Sequence, residues 1–237
     1  MMDDQDQQGF KPSTRRRGPS PTELHPDLKG PREALTRLLD SHVVAARQCL
    51  GFPTGDIYLP DLLFAGFVQR SFHLVEGFLS EFDAGNVIVA APLVRLQIDN
   101  LLRITYLSTG VDLHETALYL LGGGEFRKLK DKEGKALTDK RLCELAAGRH
   151  PWVEAVYRGS SGWVHFSGSH IRTVYKAGDQ PGTFEGGFPL RPDFVPEHLF
   201  LELLEAMAQA TSDLLVYFAS WGEHKKTLAA GAWVEER

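Results

Sequence analysis

The sequence is poor in cysteine. Cys49 and Cys143 are the only two among 237 residues, stand far apart and belong to no CxxC pattern. That excludes a disulfide framework and the common zinc-ligand spacings, and makes a reducing cytoplasm the expected compartment. Long apolar runs are lacking too. The densest, Val87 to Val94, holds Pro92 and is followed at once by Arg95, well short of the roughly 20 apolar residues a bilayer-spanning helix needs. The start, Met1-Met2-Asp3-Asp4-Gln5, offers neither the basic end nor the apolar stretch of a secretory signal. Also absent are GxxxxGK[ST], GxGxxG after a strand, GxSxG and HExxH. Gly159-Ser160-Ser161-Gly162 has the wrong spacing for a nucleophile elbow, and His165 and His170 have no acidic neighbour with which to hold a metal. No cofactor or metal is expected. Positive charge is scarce: a net charge of -5 and a pI of about 6.0 exclude bulk attraction to nucleic acid but leave room for a local basic groove.

What the chain does have is core material, 43% hydrophobic residues, enough for one packed domain. Residues 1–30 are rich in Gln, Asp, Pro, Ser and Arg and are expected to be a disordered tail, with Arg15-Arg16-Arg17 as a solvated cluster. From Pro31 the spacing turns helical, with Leu35, Leu38, Leu39, Val43 and Ala46 on one face. Gly51-Phe52-Pro53-Thr54-Gly55 breaks that helix. A second is predicted over about Asp61 to Phe82. A third, about Val87 to Ser108, is apolar around most of its circumference and reads as central; Pro92 must sit in its first turn or kink it.

Asp112 and Glu115 start a short helix that ends at Gly122-Gly123-Gly124, and a lysine-rich loop from Phe126 to Leu137 follows. Thr138 caps a helix through Ala147, and Pro151 opens another carrying Trp152, Val156 and Trp163. Beyond Gly168 the period shifts towards two: Ile171–Tyr175, a turn at Asp179–Gly182, and Thr183-Phe184 predict a hairpin. A long helix from Pro196 to about Trp221 closes the chain, its stripe Leu199, Leu203, Met207, Ala210, Leu214, Phe218 and Trp221. The expected fold is an all-α, up-and-down bundle over residues 31–237 with one small β-hairpin insertion at about 170–186.

Two polar constellations stand out. Were Tyr157 to His165 one regular helix, steps of about 100° would place Ser161, His165 and Arg158 within roughly a quarter-turn of Tyr157. The second interrupts the most apolar helix: Arg95, Asp99 and Arg103 at i, i+4 and i+8, with Asn100 beside them. Unpaired charge on so hydrophobic a helix is costly. These residues therefore either form a self-paired ladder, Asp99 bridging two arginines, or turn one arginine to an anion in a pocket shared with His165. His42, His73, His114 and His198 each fit a cap or a helix surface.

The pair Arg95/Asp99, followed much later by Tyr157-x3-Ser161-x3-His165, resembles a family of uncharacterised bacterial helical proteins, over roughly residues 60–220. More distantly, Arg158-x6-His165 resembles the Arg-x4-6-His motif of HEPN nucleases. Arg37-x4-His42 and Arg191-x6-His198 share the spacing, but only Arg158 and His165 are set among further polar residues on one predicted face. The usual form has a polar residue after the arginine, where this chain has Gly159. The resemblance implies a helical bundle, often dimeric, that cleaves RNA without metal. Arg158 would clamp phosphate, His165 would act as general acid and base, and Tyr157 and Ser161 would orient it. Arg95 and Arg103 would add positive potential, with Asp99 orienting them. The competing reading is a non-enzymatic helical module that binds a protein partner or small anion, with His165 fixed by Ser161, Tyr157 or the Arg95/Asp99 stripe. A homodimer is compatible with both.

Overall fold

The computed structural model describes residues 19–50, 55–165, 167–171, 173–186 and 195–235. Four long helices make the core: α2 (Lys29–Cys49), α3 (Leu59–Asp83), α4 (Val87–Leu107) and α9 (Glu197–Glu235). Between α4 and α9 the chain adds α5 (Leu113–Leu121), α6 (Asp139–Ala146), α7 (Val153–Val164) and the short α8 (Gly168–Ile171). The two-stranded antiparallel hairpin of β1 (Tyr175–Ala177) and β2 (Phe184–Gly186) follows. The fold is all-α with one small hairpin, as the periodicities predict. Ile171, expected in the first strand, instead ends α8.

The N-terminal boundary differs from expectation. Pro21–Leu24 form a first helical turn, α1, Pro26–Leu28 a 3-10 turn, and Leu28 is buried at the start of α2. Burial of Pro21 and Leu28, with His25 at 3.5 Å from Glu197, docks this stretch although the segment is polar overall. The rest of the predicted tail, residues 1–18, lies outside the described residues.

Local chemistry sets the helix ends. Asp61 accepts the Tyr58 backbone N–H at 2.8 Å in the first turn of α3. Gly85, at φ +70, makes the reversal between α3 and α4. Asp112 and Thr138 accept the N–H groups of Glu115 and Arg141 at 3.0 and 3.2 Å, capping α5 and α6 as predicted. Pro92 falls in the second turn, inside α4.

Successive helices α2, α3 and α4 run up and down: Arg32 pairs with Asp83, and His42 with Ser71. On α4 and α9 the partners rise together, Gln97 with Thr211 and Thr105 with Tyr217. The last helix therefore runs in the direction of α4, brought round by the α5–α8 crossover. Leu203, Met207, Ala210, Leu214, Phe218 and Trp221 of its predicted stripe are all buried. The crossover helices α6 and α7 pack on the outer face of α4, and α5 on α3. Among the described residues no helix is long and apolar enough to cross a membrane.

Candidate functional site

The arginines of α4 converge on one carboxylate. Asp99 contacts Arg103 directly, Arg95 at 3.9 Å and, from α3, Arg70 at 3.6 Å. Arg103 also donates to the Asp99 carbonyl at 3.1 Å. Arg95 leans the other way, to Asp139 at 3.3 Å, with its guanidinium 3.6 Å from the centre of the Tyr157 ring. Desolvation holds the Arg103 and Arg70 guanidiniums below their ordinary range; at Arg103 the Asp139 carboxylate opposes this, and the positive charges of Arg70 and Arg95 add to it. Three cations around one half-buried anion, with exposed Asp139 at the edge, leave positive charge in excess.

The Tyr157 segment is organised differently from the predicted face. Tyr157 donates its hydroxyl to Asp139 at 2.6 Å, and burial with that bond pushes the phenol up to about 12. It is therefore a fixed donor at neutral pH. Ser161 donates to the Tyr157 carbonyl at 2.8 Å within the helix. Arg158 is exposed and pairs with Glu154, one turn back. The helix ends at Val164, and His165 takes an extended backbone (φ -111, ψ 146) and faces solvent. The expectation of a regular helix through His165 is thus corrected. Ser167 donates its hydroxyl to the Gly162 carbonyl at 2.6 Å, filling the acceptor a further helical turn would use. A Cβ at Gly162 would sit 3.2 Å from the hydroxyls of both Ser167 and Ser169. Arg95, Asp99, Arg103 and Tyr157 are brought together, whereas Arg158 and His165 are not joined to them.

A groove of about 410 Å³ opens beside the arginines, lined by Leu62, Leu63, Gly66, Phe67 and Arg70 of α3, Asp99, Asn100 and Arg103 of α4, and Leu121 of α5. Its polar end is tied into the core by a directed hydrogen-bond chain. Arg70 donates to the side-chain amide oxygen of Asn100, Asn100 to Gln97 at 3.3 Å, and Gln97 to Ser71 at 2.7 Å and Thr211 at 2.9 Å. The chain ends on His42, whose Nδ1 faces the Leu38 carbonyl at 2.9 Å and must carry the hydrogen. Its Nε2 then accepts from Ser71 at 2.8 Å. His42, expected at a surface or cap, is 1% exposed.

A larger cleft of about 1160 Å³ lies between α2, α7 and α9, walled by Leu38, Trp152, Val156, Trp163 and Leu203. Neither cavity is lined by Arg158 or His165.

Sequence reasoning missed Arg70 and Asp139, because each acts on α4 from another element. It also missed the set in which His150 meets Asp213 through Nδ1 at 2.9 Å and Tyr217 through Nε2 at 2.9 Å. Trp152 and Gln209 add bonds to the same carboxylate at 3.3 and 2.9 Å. The last is the buried pair Lys225–Asp61 at 2.7 Å. No sequence pattern flags either, since Trp152 and Asp213 lie 61 residues apart, His150 and Tyr217 67, and Lys225 and Asp61 164.

No family model, curated protein or solved structure matches the chain.

Proposed function

We propose that this chain is a non-enzymatic helical binding module whose site is the arginine-lined groove between α3 and α4. There it takes the anionic group of a small ligand or partner protein. The observation that carries the reading is the sharing of Asp99 by Arg70, Arg95 and Arg103 beside an open groove. Guanidinium offers five N–H donors in a rigid fork, more than the bonds described for Arg103 use, and a partly desolvated site strengthens what an anion gains there. Tyr157, Ser161 and Arg95 are held by internal bonds, whereas His165, which this reading expects to be fixed by them, faces solvent. The free, buried thiols of Cys49 and Cys143 support a reducing compartment such as the cytoplasm.

The test is thermal unfolding of the full chain in low-salt buffer with added acetate, sulfate or phosphate. At least one of these anions is expected to raise Tm saturably, and Arg103→Gln to remove the gain. No saturable rise with any of them, nor with a larger organic anion, overturns the reading.

A second reading keeps the ribonuclease. It is favoured by the exposure of both Arg158 and His165. The exposed Arg158–Glu154 pair is worth less than about 1 kcal/mol, so Arg158 is free to turn to a phosphate, with a second chain completing the site in a homodimer. It predicts RNA cleavage in EDTA that His165→Ala abolishes without altering the fold. Cleavage that survives that substitution, or none at all, removes it.

A further inference from the structure

We infer that the groove's ligand is an aliphatic monocarboxylate: a single negative charge on Arg70 and Arg103 with a short branched apolar body along α3. This deepens the anion-binding reading and rests on it.

Three observations select this class. The first is charge. The groove's lining carries Arg70 and Arg103 against Asp99, a net of one positive charge. A monoanion neutralises it, whereas a dianion such as phosphate would leave surplus negative charge beside a half-buried carboxylate. The second is the wall. Leu62, Leu63, Phe67 and Leu121 line the rest of the groove, and among the described residues Leu62 and Leu121 stand 47% and 48% exposed. Such a surface rewards an apolar body and does nothing for an inorganic ion. The third is Gly66. It lies inside α3, where glycine weakens a helix, yet a Cβ there would meet nothing within 4 Å. Among the described residues no neighbour requires a glycine at this position; the space it leaves belongs to the groove, whose lining holds Gly66 beside the apolar wall and Arg70. Asn100, fixed by Gln97, holds Arg70 at the polar end of the groove.

The experiment is calorimetric titration of the full chain with 4-methylpentanoate, its neutral amide 4-methylpentanamide, N-acetylleucine and inorganic phosphate. Saturable binding by either carboxylate is expected, with no saturation by the amide or phosphate. Stronger binding of N-acetylleucine would point to a chain terminus as source, stronger binding of 4-methylpentanoate to a free acid, and both support the inference. Gly66→Leu, a good helix former that touches no charge, is expected to fold normally and to weaken binding at least about tenfold. Arg103→Gln should do the same through lost charge-assisted bonds. Phosphate binding equal to that of the carboxylates overturns this inference while leaving the anion reading in place. Saturation by no anion overturns both. Carboxylate binding unchanged in Gly66→Leu puts the ligand elsewhere and also overturns the inference.

Discussion

His42 shows how one buried residue can carry a pH dependence. Burial pushes its imidazole below the ordinary value of 6.5, against the raising effect of the Leu38 and Leu39 carbonyls. A second proton would go on Nε2, where Ser71 now donates, and Ser71 already accepts from Gln97. The folded state therefore resists protonation while the unfolded chain accepts it. Because the folded pKa is the depressed one, this contribution to stability is complete above about pH 6.5 and shrinks as the pH falls towards the lower folded value. Urea unfolding of the wild type and of His42→Gln at several points between about pH 7.5 and 5 reads it out. Glutamine can supply a donor and an acceptor but does not titrate, so the wild type should lose more stability on acidification than the variant. A gap that stays constant with pH would falsify this account.

At the scale of an element, α3 carries a cost that the rest of its sequence hides. Its apolar residues, aromatic Phe64, Phe67, Phe78 and Phe82 among them, pack against α2, α4 and α9, yet Gly66 interrupts it on the open side. Gly66→Ala adds a methyl that meets nothing and restricts the unfolded chain, so it should stabilise the protein by about 0.5–1 kcal/mol. A rise in the urea midpoint at unchanged slope is the expected readout; a fall would mean that the glycine has a backbone role the packing does not reveal. Elements of this kind were legible in the sequence. The extents of α3 and α4, the stripe of α9 and the caps Asp112 and Thr138 are local patterns, set by 3.6-residue spacing and by side chains reaching three residues along. The end of α7 was not legible. It depends on Ser167 bonding Gly162, a competition between side chain and backbone that spacing alone does not decide, and so the predicted face of Tyr157, Ser161 and His165 came apart at its last member. The α4 ladder was half legible: Arg95, Asp99 and Arg103 share a face by periodicity, while Arg70 and Asp139 enter it only through tertiary packing.

For the whole molecule, the closure of the bundle depends on contacts between distant parts of the chain. Near the end of α9, Lys225 is 1% exposed and bonds Asp61, itself 0% exposed. Trp221 donates to the other oxygen of Asp61 at 2.7 Å, and the Cys49 and Asp56 carbonyls receive Lys225 at 3.4 and 3.3 Å. One cation thus ties α9 to the ends of α2 and α3 that it passes, and Gly222 lies against Gln48 beside it. The pair is fully hydrogen-bonded, so its presence costs little, but removing one member strands the other's charge in the interior. Lys225→Met alone is expected to destabilise the fold by about 3–5 kcal/mol, a large part of the 5–15 kcal/mol typical of a domain. Adding Asp61→Asn removes the stranded charge, and the amide oxygen can still accept from Trp221 or Tyr58. The double variant should therefore be more stable than Lys225→Met, although one buried bond poorer than the wild type. Urea unfolding of the three proteins decides it: if the double variant is no more stable than the single, the charge is not what holds the helix ends together, and the clasp acts through packing of the lysine stem and the Trp221–Phe64 stack, whose ring centres lie 5.0 Å apart.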